Sequence, residues 1–125
     1  PDISVEFKNE GESVNFPAAE TTALAVILNE LLQNAIQHGF HEKLPRGKAE
    51  LVIRFAADAE FFEVVVIDNG KGLPTQFNEK SYGLGLTIVR NLIETDLGGD
   101  MELSHNSPSG TVARIRIPQP KEELN

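Results

Sequence analysis

Apolar and polar residues alternate in ISVEFK, Ile3 to Lys8, which puts every second side chain on one face of an extended chain and predicts a half-buried strand. A polar turn containing glycine follows, then a short partner strand at SVNF, Ser13 to Phe16. From Pro17 to Gly39 the period lengthens. Leu24, Leu28, Leu31, Leu32, Ala35 and Ile36 share one broad face of a helix, with Pro17 near its first turn. HEKLPRGK is a loop. AELVIRFAAD and EFFEVVVID, rich in Val, Ile and Phe, read as a hairpin turning near Asp58 to Glu60. A loop, GKGLPTQFNEKSYG, leads to a second helix over Leu84 to Leu97, with Gly98 placed to end it. Two more strands, GDMELSHN and TVARIRI, are joined by the turn residues NSPSG. This order predicts an α+β fold: a two-layer sandwich, its mixed and mostly antiparallel sheet covered by helices on one face.

Composition narrows the function classes. The chain has 125 residues, enough for a single domain spanning 1–125 with a real core. Its net charge of -8 argues against non-specific nucleic-acid or membrane-surface binding, so neither is expected as a partner. The absence of cysteine excludes disulfides, thiolate zinc sites and thiol nucleophiles. No apolar run approaches the roughly 20 residues of a membrane span. The chain starts at Pro1 and Met101 is its one methionine, so it is read as a piece of a longer protein.

Three clusters carry candidate chemistry. On the first helix Glu30, Gln33, Asn34, Gln37 and His38 lie opposite the apolar face, and Glu30 and Asn34, four apart, sit one above the other. Asn34 can offer a neutral oxygen to a hard cation such as Mg2+, and Glu30 can orient or deprotonate a nucleophile. The same stripe is also what the wet side of any amphipathic helix looks like. Asp68 ends an apolar strand and runs into Gly70 and Gly72. It can accept a hydrogen bond from an exocyclic amine such as adenine's, with the glycines letting the backbone approach a flat base, or DNG can be an ordinary tight turn. Gly83 and Gly85 open the second helix, where free N–H groups bind phosphate. A flexible helix entry is the plain alternative. The loop from Leu73 to Tyr82 is long enough to cover a ligand, and Lys71 and Lys80 can meet phosphate charge.

In this order the clusters resemble the Bergerat-type ATPases: gyrase, histidine kinases, heat-shock chaperones and mismatch-repair proteins. NELLQNAIQHGF resembles the N box, DNGKGLP the G1 box, SYGLGLTIV the G2 box, and SGTVARIRIP the closing strand. The text is most similar to sensor histidine kinases, in particular to the subfamily with a variant dimerisation domain. The resemblance implies ATP and Mg2+ as cofactors. It implies Asn34 on the metal and Glu30 as the catalytic residue that positions or activates a histidine. Asp68 would bind adenine N6, with Thr111 supporting it through water. Gly70, Gly72 and Leu73 would line the base, and the backbone of Gly83, Leu84, Gly85 and Leu86 would cradle phosphates. Gln37, His38, Lys71, Lys80, Ser81 and Tyr82 complete the implied nucleotide site. It further implies transfer of the γ-phosphoryl group to a histidine on a dimerisation domain of the same protein, which is absent here, so that the isolated chain does not autophosphorylate. A response-regulator receiver domain and a cytoplasmic location follow. The sequence departs from the pattern in having only Phe77 as an F-box candidate, and Gln37 where many kinases carry a basic residue. Two alternatives stay open: an anti-sigma-factor serine kinase of the same superfamily, whose N box also fits NAIQHGF, and a degenerate nucleotide-binding interaction module.

Overall fold

The computed structural model describes residues 3–11, 18–36, 49–73, 80 and 82–119. The expected strand at Ser13 to Phe16, the end of the first helix, the expected loop 41–48, and most of the loop between Leu73 and Tyr82 lie outside them, together with Gln37, His38, Phe77 and Ser81.

Strand β1 (Ile3–Gly11) is followed by helix α1 (Ala18–Asn34). β2 (Ala49–Ala57) and β3 (Phe61–Asp68) form the expected hairpin. The side chain of Asp58 ties its turn. Oδ1 of Asp58 accepts from the N–H groups of Glu60 and Phe61, both at 2.8 Å. Helix α2 (Leu84–Asn91) widens into a π-helical turn over Leu92–Asp96, and Gly98, with φ +66, ends it where the sequence placed its cap. β4 (Asp100–His105) and β5 (Thr111–Pro118) close the chain.

The sheet order is β1-β2-β3-β5-β4. β1 runs parallel to β2 and every other pairing is antiparallel, so the mixed, mostly antiparallel sheet is as expected. Alternation decides the two faces. Leu51, Ile53, Val64, Val66, Ala113, Ile115 and Ile117 point to one side and are buried with Ala23, Leu24, Ile27 and Leu31 of α1 and with Val89 and Ile93 beyond. Both helices therefore cover the same face. The other face is charged. There Glu63 lies 3.7 Å from Arg114, and the guanidinium of Arg116 stacks over Phe61.

Two expectations for α1 need correction. Ile36 was assigned to the core face but is 45% exposed. The buried stripe runs through Ala23, Leu24, Ile27, Leu31 and Ala35, and at about 100° per residue Ile36 lies half a turn round the helix from Ile27. Glu30 and Asn34 were set on the wet side, yet both are half-buried and border the same cleft as Leu31 and Ala35.

Candidate functional site

A cleft of about 580 Å³ opens between α1, the start of α2 and the ends of β3 and β5. Glu30, Asn34, Asp68, Lys71, Gly72, Leu73, Gly83, Leu84, Gly85, Leu86 and Thr111 all border it, so most of the residues singled out in the sequence meet here. Gly70 stands just behind it, buried, and donates its N–H to Asp68. Lys80 and Tyr82 are not on the cleft wall. Tyr82 instead has the guanidinium of Arg90 over its ring at 5.7 Å.

Asp68 is the one buried charged residue among those described, at 6% exposure. It is there because β3 is apolar from Val64 to Ile67 and the strand's alternation delivers the next side chain to the helix-covered face. Its Oδ1 accepts from the N–H of Gly70 at 2.9 Å and of Thr111 at 3.2 Å. Those two bonds use one oxygen and leave Oδ2 for the cleft. Burial raises the carboxyl above its ordinary value and the two N–H groups oppose the rise. The tie from Thr111 is thus made directly by its backbone.

The glycines divide by role. Gly72 has φ +82, and a Cβ on it would come within 2.9 Å of the Gly110 carbonyl oxygen. Gly110, at φ +108, has its own missing Cβ against the Asp68 carbonyl. These two are demanded by close contact between two loops of the protein. A Cβ on Gly83 would meet no atom of the described residues. A Cβ on Gly85 would lie 2.5 Å from Oε2 of Glu30, which places that carboxylate directly over the first turn of α2. The helix entry, Gly83, makes no side-chain cap bond. Gly83, Leu84, Gly85 and Leu86, which carry the first-turn N–H groups, all border the cleft.

Asn34 carries a further sign. Its Nδ2 is buried and has no hydrogen-bond partner among the described residues. An orphaned buried donor is costly, and this one belongs to a residue on the cleft wall, where an acceptor such as a phosphate oxygen would satisfy it. Among the described residues no group of three His, Cys, Asp or Glu is placed to hold a metal by itself.

Sequence reasoning missed the apolar walls. Val66, Leu103, Ala113, Leu31 and Ala35 border the cleft too, and their sequence signal is indistinguishable from that of core residues. It also read Asn106 and Ser109 as turn residues only. Asn106 donates from Nδ2 to the Asp68 carbonyl at 2.9 Å, and Ser109 donates from Oγ to the Asn69 carbonyl at 3.2 Å.

A family model described as histidine kinase-, DNA gyrase B- and HSP90-like ATPase matches residues 19–121. The sensor histidine kinase PdtaS of Mycolicibacterium smegmatis is 39% identical over 119 residues, covering 94% of this chain and 23% of that protein. Among solved structures, the histidine kinase domain of an Erythrobacter litoralis blue-light activated histidine kinase matches with a TM-score of 0.78 at 28% identity, over 94% of this chain and 52% of that one. Histidine kinase ThkA, solved in complex with response regulator protein TrrA, matches with a TM-score of 0.73 at 27% identity, over 94% of this chain and 34% of that one. These three are histidine kinases, and none is an anti-sigma-factor serine kinase. The chain spans less than a quarter of the length of its PdtaS relative.

Proposed function

Since the chain belongs to the histidine kinase-, DNA gyrase B- and HSP90-like ATPase family, we propose that it is the ATP-binding catalytic unit of a longer sensor histidine kinase. In this reading it is one domain over 1–125 that donates the γ-phosphoryl group of ATP to a histidine on a dimerisation domain of the same protein. A response-regulator receiver domain is the next acceptor and the cytoplasm is its place of work. The observation that carries the reading is the pairing of a buried Asp68, with one oxygen tied and one turned to the cleft, with Glu30 and Asn34 set against an uncapped helix start across the same cleft.

Each residue then has a task. Asp68 Oδ2 accepts from the adenine 6-amino group. Val66, Leu103 and Ala113 give the base a dry wall, which strengthens that bond. The N–H groups of Gly83, Leu84, Gly85 and Leu86 take phosphate oxygens at the positive end of α2. Lys71, exposed at the rim, adds charge there. The donor set fits Mg2+ held mainly by phosphates and water, with the Asn34 side chain as the protein's own neutral ligand. When bound, the cation neutralises charge on the β- and γ-phosphates. Glu30 reaches over Gly85 toward the phosphate end, where it orients an incoming imidazole and takes up its N–H proton. In the transfer, the bond from the γ-phosphorus to the β–γ bridging oxygen breaks, a bond to the imidazole nitrogen forms, and ADP leaves. Positioning and charge supply most of the catalysis.

The test is calorimetric titration of ATP, with and without Mg2+, into the wild type, Asp68→Ala and Asn34→Ala. The reading expects wild-type binding, its loss in Asp68→Ala, and binding without magnesium dependence in Asn34→Ala. A folded wild type that takes up no nucleotide overturns it in favour of the interaction-module alternative.

A further inference from the structure

The carboxylate that reads the base is only as well aimed as the backbone that carries it. On one side that backbone is held by regular pairing. β2 and β3 stay in register to Leu51 and Asp68, and one step further the N–H of Asn69 reaches the Glu50 carbonyl at 3.3 Å while Asn69 Oδ1 accepts from the Glu50 N–H at 2.8 Å. On the other side the ladder stops early. The last pair between β3 and β5 is Ile67 with Val112. Gly110 then packs so closely on the Asp68 carbonyl that no side chain fits.

Beyond that point the loop between β4 and β5 replaces the sheet with side chains. Asn106 Nδ2 takes the Asp68 carbonyl oxygen, and Ser109 Oγ takes the Asn69 carbonyl oxygen. Asn106 is itself held, because its own N–H is bonded to the Gly110 carbonyl at 3.0 Å. The same five-residue turn thus leads into the Thr111 N–H that fixes Asp68 Oδ1. We propose that Asn106, seconded by Ser109, is a positioning residue for base selection: it holds the Asp68 main chain so that Oδ2 points at the 6-amino group of a purine. Asn106 does not border the cleft. It acts only through Asp68, and the proposal rests on the reading of Asp68 as the adenine acceptor.

The readout that separates aiming from mere folding is selectivity. The 125-residue chain is titrated with ATP and with purine riboside triphosphate, the same nucleotide bearing hydrogen in place of the 6-amino group. Wild type should prefer ATP. Asn106→Ala should lose roughly three- to tenfold of that preference, the worth of one hydrogen bond. The loss should come from weaker ATP binding, with the affinity for the amine-free nucleotide unchanged. Ser109→Ala should shift the ratio the same way by less, and it carries the test if Asn106→Ala does not fold. A variant that is folded and keeps the wild-type ratio, or that weakens both nucleotides equally, overturns the proposal. A wild type without preference overturns the reading of Asp68 itself, and the positioning role with it.

Discussion

Burial pushes the Asp68 carboxyl above the ordinary value for an aspartate, while the N–H groups of Gly70 and Thr111 pull it back. Its folded value therefore lies above its unfolded one. The stability it contributes is fully present below the unfolded value and is lost as pH rises through the folded value. At neutral pH the ligand-free protein carries a buried charge at a cost, so Asp68→Asn is expected to melt no lower than wild type there. Melting curves at neutral and mildly acidic pH should show wild type gaining on the variant as pH falls. The same variant should bind ATP roughly 10- to 100-fold more weakly, since an amide replaces a charged acceptor. ATP affinity of the wild type should also begin to fall, on acidification, at a higher pH than an exposed carboxylate would dictate. Binding that stays flat down to the ordinary carboxylate range would refute the role given to Oδ2. Asn34 is the opposite kind of residue. Its buried Nδ2 has no partner among the described residues, so Asn34→Ala should leave the stability of the ligand-free protein within about 1 kcal/mol. Equilibrium unfolding in urea checks that.

Between elements, the glycines show how a shared residue type serves unlike purposes. A methyl on Gly85 meets the far end of the Glu30 side chain, which can swing aside. Gly85→Ala should therefore fold with a loss below about 1 kcal/mol yet bind ATP roughly tenfold more weakly, as the phosphate cradle narrows. A methyl on Gly110 meets the Asp68 backbone, which cannot move, at a φ that side chains rarely take. Gly110→Ala should cost more than about 2 kcal/mol. Chemical denaturation of the two variants compares them directly, and equal losses would contradict the assignment. The hairpin tie is testable at this scale as well. Asp58 is held below its ordinary value by the N–H groups of Phe61 and Glu60. Its contribution is present above the unfolded value and lost as pH falls through the folded one. Asp58→Ala should lower the melting temperature slightly at neutral pH and show no difference from wild type in strong acid.

Across the whole molecule, one core both folds the chain and sets the cleft. Ile27 is fully buried, three residues before Glu30 and on the turn that seats α1 on the sheet. Ile27→Ala should cost roughly 2–5 kcal/mol and lower the midpoint of unfolding accordingly. Much of this was legible beforehand. Leu24 and Leu31 repeat with a helical period, and Val64 to Val66 form an apolar run between turn residues, because burying one face of an element imposes a period on the residues in it. NELLQNAIQHGF, DNGKGLP and SYGLGLTIV, with the residue types that phosphate and adenine require, could be read along the chain one element at a time. What those patterns left open was distance. The periodicity of α1 set Glu30 and Asn34 on a wet side, and packing turned that side into the wall of a cleft. The face read from the leucines also took in Ile36, whereas the buried stripe centres on Ile27, half a turn away. Asn106 looks like any turn residue until the loop that bears it lies on the Asp68 carbonyl. Local pattern records which face of its own element a residue occupies. Which residues far apart in the chain come within a hydrogen bond of each other depends on how the sheet and helices close, and the tertiary structure alone decides that.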